Sequence, residues 1–117
     1  MSCAVSGLRF LLRSQRNAQC HAAATVAVVI LGAVAQISLF QWCWVIAAAG
    51  GVWCAEAMNT SLECVCDFAC VPPARHDLIR RSKDVAAGGV LCASLAAAAI
   101  GVCVLGPPLI GLFRRVL

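Results

Sequence analysis

Three long apolar runs constrain this chain more than any other feature of its sequence. They cover residues 22–35, 42–55 and 85–105, and the last is about long enough to cross a bilayer by itself. Inside hydrocarbon the backbone must pair its own polar groups, which an α-helix does almost completely. The chain is 62% hydrophobic and only 12% charged, unlike a soluble domain. We therefore predict an all-α membrane protein.

The predicted architecture is a single domain over residues 1–117, with three transmembrane helices after a surface helix. A basic amphipathic segment precedes the first apolar run, with Leu8, Leu11 and Leu12 on one side and arginines on the other. This pattern is typical of a helix lying on the membrane surface. A secretory signal peptide is the alternative, with Ala33-Val34-Ala35 as its cleavage site, but two later apolar runs favour the membrane protein. The surface helix is predicted at about 7–20, and the spans at about 20–36, 41–66 and 85–106.

The charged residues are unevenly distributed along the chain. All five acidic residues lie between Glu56 and Asp84, and most basic residues lie before residue 17 or between 75 and 83. The positive-inside rule therefore places the N-terminus and a loop at about 67–84 in the cytoplasm, with the C-terminus outside. Arg114 and Arg115 are a minor conflict with that rule. No aromatic residues alternate with the basic ones, which argues against a nucleic-acid partner.

The nine cysteines do not have the spacing of a zinc site. Cys64, Cys66 and Cys70 are close in sequence, but no paired C-x-x-C knuckle or histidine pair accompanies them. Other cysteines lie inside the apolar runs, where a free thiol acts as a small hydrophobe. We interpret the cysteines as thiols of a membrane protein and not as a disulfide framework.

A polar stripe ends the second apolar run. On a helix Glu56, Asn59, Glu63 and Asp67 stand at i, i+3, i+7 and i+11, so all four share one face. Glu56 lies about 20 Å along a helix beginning near Trp42, at the edge of a hydrocarbon core about 30 Å thick. An ionisable residue at that depth indicates a functional site. The alternatives are a water-facing stripe of an ordinary amphipathic helix, or a structural carboxylate paired with a neighbouring helix.

The motif Glu56-Ala-Met-Asn-Thr-Ser-Leu-Glu63, with Asp67 after it and Lys83-Asp-Val-Ala-Ala-Gly88 opening the last run, resembles the prokaryotic diacylglycerol kinase and undecaprenol kinase family. The segment from Gly7 to His21 is similar to the surface helix of that family. The resemblance implies a homotrimer of three-span subunits in the bacterial inner membrane. It also implies transfer of the γ-phosphate of ATP, with Mg²⁺, to a lipid hydroxyl at the cytoplasmic face.

The same resemblance implies a role for each polar residue. Glu56 is the catalytic base and, with Arg16, contacts the lipid substrate. The metal is held by Glu63, with Gln15 standing where the family usually has a second glutamate. Asn59 and Asp67 complete the polar site. The nucleotide is bound by Lys83, Asp84, Arg75, His76 and Glu63.

The chemistry of phosphoryl transfer agrees with these residue types. The reaction needs a cation on the phosphate oxygens, hard oxygen ligands for that cation, and an acceptor for the hydroxyl proton. The acidic stripe and the basic loop supply them, while no G-x-x-x-x-G-K-[ST] loop is present. The sequence departs from the family at Gln15, at Ala18 and Gln19, and in a longer loop after Phe68.

Two other classes of function stay open from the residues alone. One is a small transporter or channel with Glu56 as an intramembrane ion or proton site, and the other is a structural membrane protein. Lys83-Asp84 and the basic loop favour the kinase, because a proton carrier needs no phosphate-binding group. Among lipids, the motifs are slightly more similar to the undecaprenol kinase branch than to the diacylglycerol kinase branch.

Overall fold

A computed structural model describes residues 2–69 and 77–116, and in these ranges the chain forms helices joined by short turns. The helices are α1 (Ser2–Ser14), α2 (Arg16–Val34), α3 (Leu39–Ala69) and α4 (Asp77–Val116), with no strand in the described ranges. Helices α2 and α4 are each long and apolar enough to cross a membrane. The predicted all-α class is confirmed. The second predicted span corresponds to α3, which carries the polar stripe in its second half.

The predicted surface helix differs from the observed one in both of its bounds. Helix α1 starts at Ser2, and Gln15 is extended (φ −113°, ψ 118°), which separates α1 from α2. The Ser14 hydroxyl donates to the carbonyl of Phe10 in the last turn of α1. Because of the break, α1 contacts both α2 and α3 and buries Leu11. The helix predicted over residues 7–20 is therefore divided into two helices at Gln15.

The turn between α2 and α3 is fixed by a reciprocal helix cap. The backbone N–H of Ser38 donates to Oε1 of Gln41 at 2.8 Å, and the N–H of Gln41 donates to the Ser38 hydroxyl at 3.3 Å. This is the capping box expected from a serine followed three residues later by glutamine. Gln36, in the turn, has a positive φ of 50°. Gly32 is required beside it, since a Cβ there would lie 2.9 Å from the ring of Trp42.

Helix α4 continues through Pro107 and Pro108 to Val116, so the helix extends beyond residue 106, where the third span was predicted to end. Pro108 has no N–H for the carbonyl of Val104, four residues earlier. Nε2 of Gln41 donates to that carbonyl at 3.2 Å, so α3 supplies the missing partner. The contact lies beside the core cluster, which contains Ile37, Val45, Val104 and Leu105.

Helix α4 also begins earlier than predicted. The chain is helical from Asp77, so residues 77–84 of the expected loop form the first two turns of α4. Helix α3 extends to Ala69, beyond the expected end of its span. Helices α3 and α4 form the most extensive helix pair of the described chain, and together they carry most of the predicted site residues.

Candidate active site

The polar stripe of α3 runs from a buried end to an exposed end. Glu56 is 1% exposed, and Asn59 and Thr60 are also buried. Glu63, two turns further along, is half-buried, and Asp67 is exposed. The helical period predicted from the sequence therefore puts a gradient of solvent access along one face. A reaction at the buried end would be shielded from water, while a charged ligand could arrive at the exposed end.

Both carboxylate oxygens of Glu63 accept hydrogen bonds from amide groups. Nδ2 of Asn59 donates to Oε1 at 3.0 Å, and Nε2 of Gln15 donates to Oε2 at 3.1 Å. Gln15 reaches Glu63 because it occupies the extended residue between α1 and α2. The structure thus brings together the two residues that the sequence resemblance assigns to a metal, although they are far apart in the chain.

The exposed end of the stripe meets the start of α4. Nζ of Lys83 donates to Oδ1 of Asp67 and forms an ion pair with it. Lys83 precedes the apolar stretch, and its hydrogen bond to Asp67 raises the pKa of the lysine. Asp84 and Arg16 are exposed, with no described contact to the stripe. Arg75 and His76 lie outside the described residues.

A polar cavity of about 250 Å³ lies beside the stripe. Asn17 of α2 and Asn59 and Glu63 of α3 line one part of it. The rest of its wall comes from α4. In the described chain, four buried side-chain atoms lack a hydrogen-bond partner: Oε2 of Glu56, Oδ1 of Asn59, Oγ1 of Thr60 and Oγ of Ser94. The α4 wall of the cavity consists of Ala87, Val90, Leu91 and Ser94.

An apolar groove of about 930 Å³ is formed by α2, α3 and α4. Nearly all of its lining is apolar, including Val45, Ile100 and Leu109. Ser94 lines the groove as well as the polar cavity. Ser94 is therefore a residue at which the two spaces meet.

The donor set around Glu63 suits a hard divalent cation. Carboxylate and amide oxygens are ligands that such ions prefer, and Asn59 has a buried oxygen without a partner in the described chain. Among described residues, no group of three or more His, Cys, Asp or Glu side chains is placed to hold a metal. The site therefore fits one carboxylate assisted by neutral amides. A zinc site at Cys64 and Cys66 has no such support, while Cys70 lies outside the described residues.

Sequence reasoning did not select Ser94 or Thr60. A signal for Ser94 was present, because it is the sole hydroxyl residue in the apolar run from Val85 to Leu105. Thr60 directly follows Asn59 in the motif, and its burial depends on packing that the sequence does not specify. The packing of α3 and α4 therefore brings the Ser94 hydroxyl to the cavity, while Thr60 is buried next to Asn59 in the sequence.

The fold and site define a small helical membrane protein in which a buried acid, Glu56, shares one helix face with residues that line a polar cavity. The profile of the family described as prokaryotic diacylglycerol kinase matches residues 2–105. A Bacillus subtilis protein named undecaprenol kinase is 34% identical over 97 residues, which are 83% of this chain and 77% of that protein. A Synechocystis protein named diacylglycerol kinase is 34% identical over 107 residues, which are 92% of this chain and 61% of that protein. No solved structure matches the chain significantly.

The chain belongs to the prokaryotic diacylglycerol kinase family, and it is a lipid kinase of the membrane. The family resemblance seen in the Glu56 to Glu63 motif is thereby confirmed. The transporter and the purely structural membrane protein are set aside, because both relatives are named as kinases.

Proposed function

We propose that the protein uses ATP and Mg²⁺ to phosphorylate the primary hydroxyl of diacylglycerol or undecaprenol at the cytoplasmic face of the inner membrane. The observation that carries this proposal is the placement of Glu56 and Glu63 on one face of α3. Glu56 is buried, and Glu63 lies at the polar cavity between two amides. Phosphoryl transfer needs a proton acceptor and a cation site in that arrangement.

Glu56 acts as the general base in this mechanism. The lipid hydroxyl gives its proton to the Glu56 carboxylate while its oxygen forms a bond to the γ-phosphorus. The bond from that phosphorus to the bridging oxygen breaks, and ADP leaves with the electron pair. The unpartnered Oε2 of Glu56 supports this role, because a base needs a free acceptor atom facing its substrate. Arg16, exposed at the start of α2, would contact the polar end of the lipid.

Glu63 and Gln15 would hold the metal, and Asn59 would orient Glu63 through its hydrogen bond. A bound Mg²⁺ supplies neutralisation of the phosphate oxygens. For Gln15 to be a ligand, its amide would have to turn over so that Oε1 takes the place of Nε2 beside Glu63. With one carboxylate, the site depends more on the nucleotide's own phosphates for its ligands than a two-carboxylate site would.

The nucleotide is bound at the exposed end of the stripe. Lys83 leaves Asp67 and pairs with phosphate oxygens, and Asp84, Arg75 and His76 complete the contacts. Support comes from the solvent access of Lys83 and Asp67, because a buried pair would resist exchange. Three spans with a cytoplasmic N-terminus would put this end on the side where ATP is available.

We also propose a homotrimer, and this proposal rests on the family resemblance. One chain already buries Glu56 to 1% exposure, so shielding of that acid does not require a partner subunit. Native mass spectrometry in mild detergent measures the assembly directly. An active monomer would contradict the trimer.

The test of the proposed function is a phosphate-transfer assay on the purified protein. We expect labelled phosphate to pass from ATP to diacylglycerol or undecaprenol, and the transfer to stop when EDTA removes the metal. Each lipid is assayed separately in the same micelles, with CTP and GTP as alternative donors. No transfer to either lipid from any nucleotide would refute the proposal.

A further inference from the structure

Ser94 lies on the wall between two spaces of opposite character. It lines the polar cavity with Asn59 and Glu63, and it also lines the apolar groove that continues towards Leu109. A lipid alcohol has the same division, with one polar end and a long hydrocarbon chain. The position of Ser94 therefore corresponds to the junction between the head and the chain of such a molecule.

The hydroxyl of Ser94 is buried and has no hydrogen-bond partner among the described residues. A serine within a helix usually satisfies its hydroxyl on the carbonyl four residues earlier. Among the described residues, Ser14, Ser61 and Ser82 do so, and the threonine Thr25 does the same. Ser94 is an exception, and an unmet hydroxyl in an apolar setting is unfavourable. A molecule entering the cavity would remove that cost.

Asn59 provides a second, independent indication of a ligand. It is 6% exposed, it lines the same cavity, and its Oδ1 also lacks a partner among the described residues. A primary alcohol can accept a hydrogen bond from one group and donate to another. The Ser94 hydroxyl can donate to it, while Oδ1 of Asn59, or Glu56 at the moment of reaction, can accept its proton.

Resting on the proposed lipid kinase function, we propose that Ser94 binds the reacting hydroxyl of the lipid substrate and that the apolar groove holds the adjoining part of its chain. Diacylglycerol and undecaprenol share this chemistry, a primary hydroxyl on a hydrocarbon chain. We assign the groove to the hydrocarbon chain of the lipid, because Ser94 lines both the groove and the cavity beside Glu63. Its nearly apolar lining suits hydrocarbon, which needs no polar partner.

The test is Ser94→Ala in the full-length protein, assayed with both lipids in the same micelles. We expect the KM for each lipid to rise about fivefold to tenfold, as for one lost hydrogen bond, with unchanged nucleotide affinity. The stabilisation of the protein by dioctanoylglycerol and farnesol, measured as a rise in Tm without nucleotide, should fall in parallel. Ser94→Thr should restore both. Ser82→Ala is the matched control, because that hydroxyl is exposed and satisfied within α4.

Several results would overturn the proposal. If the KM for each lipid and the lipid-induced rise in Tm are unchanged in Ser94→Ala, the Ser94 hydroxyl binds water and not the lipid. An effect confined to diacylglycerol would move the contact to an ester carbonyl. If Ser94→Ala changes the mass of the protein assembly, the surface around Ser94 is an interface between subunits. Failure of the kinase itself is distinguishable, because wild-type protein would then show the lipid-induced rise in Tm without any phosphate transfer.

Discussion

Nε2 of Gln15 lies 3.1 Å from Oε2 of Glu63, so a neutral amide donates a hydrogen bond to one oxygen of this carboxylate. The contact joins the break between α1 and α2 to the middle of the polar stripe. The hydrogen bond orients the Glu63 carboxylate, because the amide N–H donates to one of its two oxygens. Loading a metal therefore competes with an existing hydrogen bond.

The first prediction concerns Gln15→Glu. Without metal, the new carboxylate should repel Glu63 and remove a hydrogen bond to a charged group, lowering stability by about 1.5 to 3 kcal/mol. With Mg²⁺, the second acid should tighten metal-dependent nucleotide binding by about tenfold. The measurements are Tm in EDTA and in Mg²⁺, and nucleotide affinity over a Mg²⁺ titration. Gln19→Glu is the control, because Gln19 is exposed and bonds the Leu12 carbonyl; equal effects at both positions would contradict the metal site.

The second prediction separates the roles of Glu56 and Glu63 on α3. Glu56→Gln should lower the rate of phosphate transfer by about 100-fold to 10,000-fold, the usual contribution of a general base, while nucleotide affinity stays near that of the wild type. Glu63→Gln should instead weaken Mg²⁺-dependent nucleotide binding. Single-turnover transfer and equilibrium nucleotide binding give the two quantities for each variant. Wild-type transfer by Glu56→Gln would show that the base is another group.

The third prediction concerns Gln41, whose amide caps α3 and also bonds the Val104 carbonyl. Gln41→Leu should cost about 1 to 3 kcal/mol of stability, because it leaves buried polar groups without partners. In a Pro108→Ala background the cost should be smaller by about 1 kcal/mol, since the introduced alanine offers Val104 an N–H. Unfolding by SDS titration measures each corner of this cycle.

Pro107→Ala is the matched control for that cycle. Its restored N–H would face the carbonyl of Cys103 and not that of Val104, so it should show no coupling to Gln41→Leu. Equal coupling at both prolines would mean that Gln41 acts on the whole bend of α4 and not on one carbonyl.

The fourth prediction uses the exposed ion pair of Lys83 and Asp67. Because the pKa of Lys83 is raised in the folded protein, the stabilisation is fully present below the unfolded pKa of lysine. It is lost only as pH rises through the folded value, in the alkaline range. Near neutral pH, Lys83→Met should leave Tm almost unchanged, as for other exposed pairs, but should weaken nucleotide binding. Arg81→Met, also exposed, is the control; equal weakening in both would reduce the effect to net charge.

The fifth prediction concerns topology. With three spans and the N-terminus in the cytoplasm, a reporter enzyme fused after Leu117 should be active only outside the cytoplasm. Alkaline phosphatase and a cytoplasmic fluorescent protein, fused at the same residue, give opposite readouts. Cytoplasmic activity at this fusion point would contradict the topology, and a mature N-terminus at Gln36 would identify a cleaved signal peptide.

The sequence predicted the helical class and the shared face of the stripe, because both follow from local periodicity. Glu56, Asn59, Glu63 and Asp67 fall on one side of α3 by the helical repeat alone. Which of them is buried depends on where α4 packs, and the sequence does not contain that information directly. The same holds for Ser94, whose hydroxyl was visible in the apolar run but whose two adjoining spaces were not.

The predicted bounds of the helices differ from the observed ones for identifiable physical reasons. Two prolines normally end a helix, but here a side chain on another helix satisfies the carbonyl of Val104. That partner, Gln41, is distant in sequence, and no local rule reports it. At Gln15, the break that divides α1 from α2 coincides with a tertiary hydrogen bond to Glu63. Local propensity gave no indication of either contact.

Helix α4 also sets a fixed distance between two residues of the proposed site. Lys83 and Ser94 stand on one uninterrupted helix, and the rise between them is about 16 Å. The distance between the proposed phosphate end and the proposed lipid end of the site is therefore set by helix geometry and not by a loop. One extra residue between Lys83 and Ser94 would lengthen this helical segment by about 1.5 Å and rotate one end by about 100° relative to the other. Insertions and deletions in this interval are thus far less tolerable than any single substitution there.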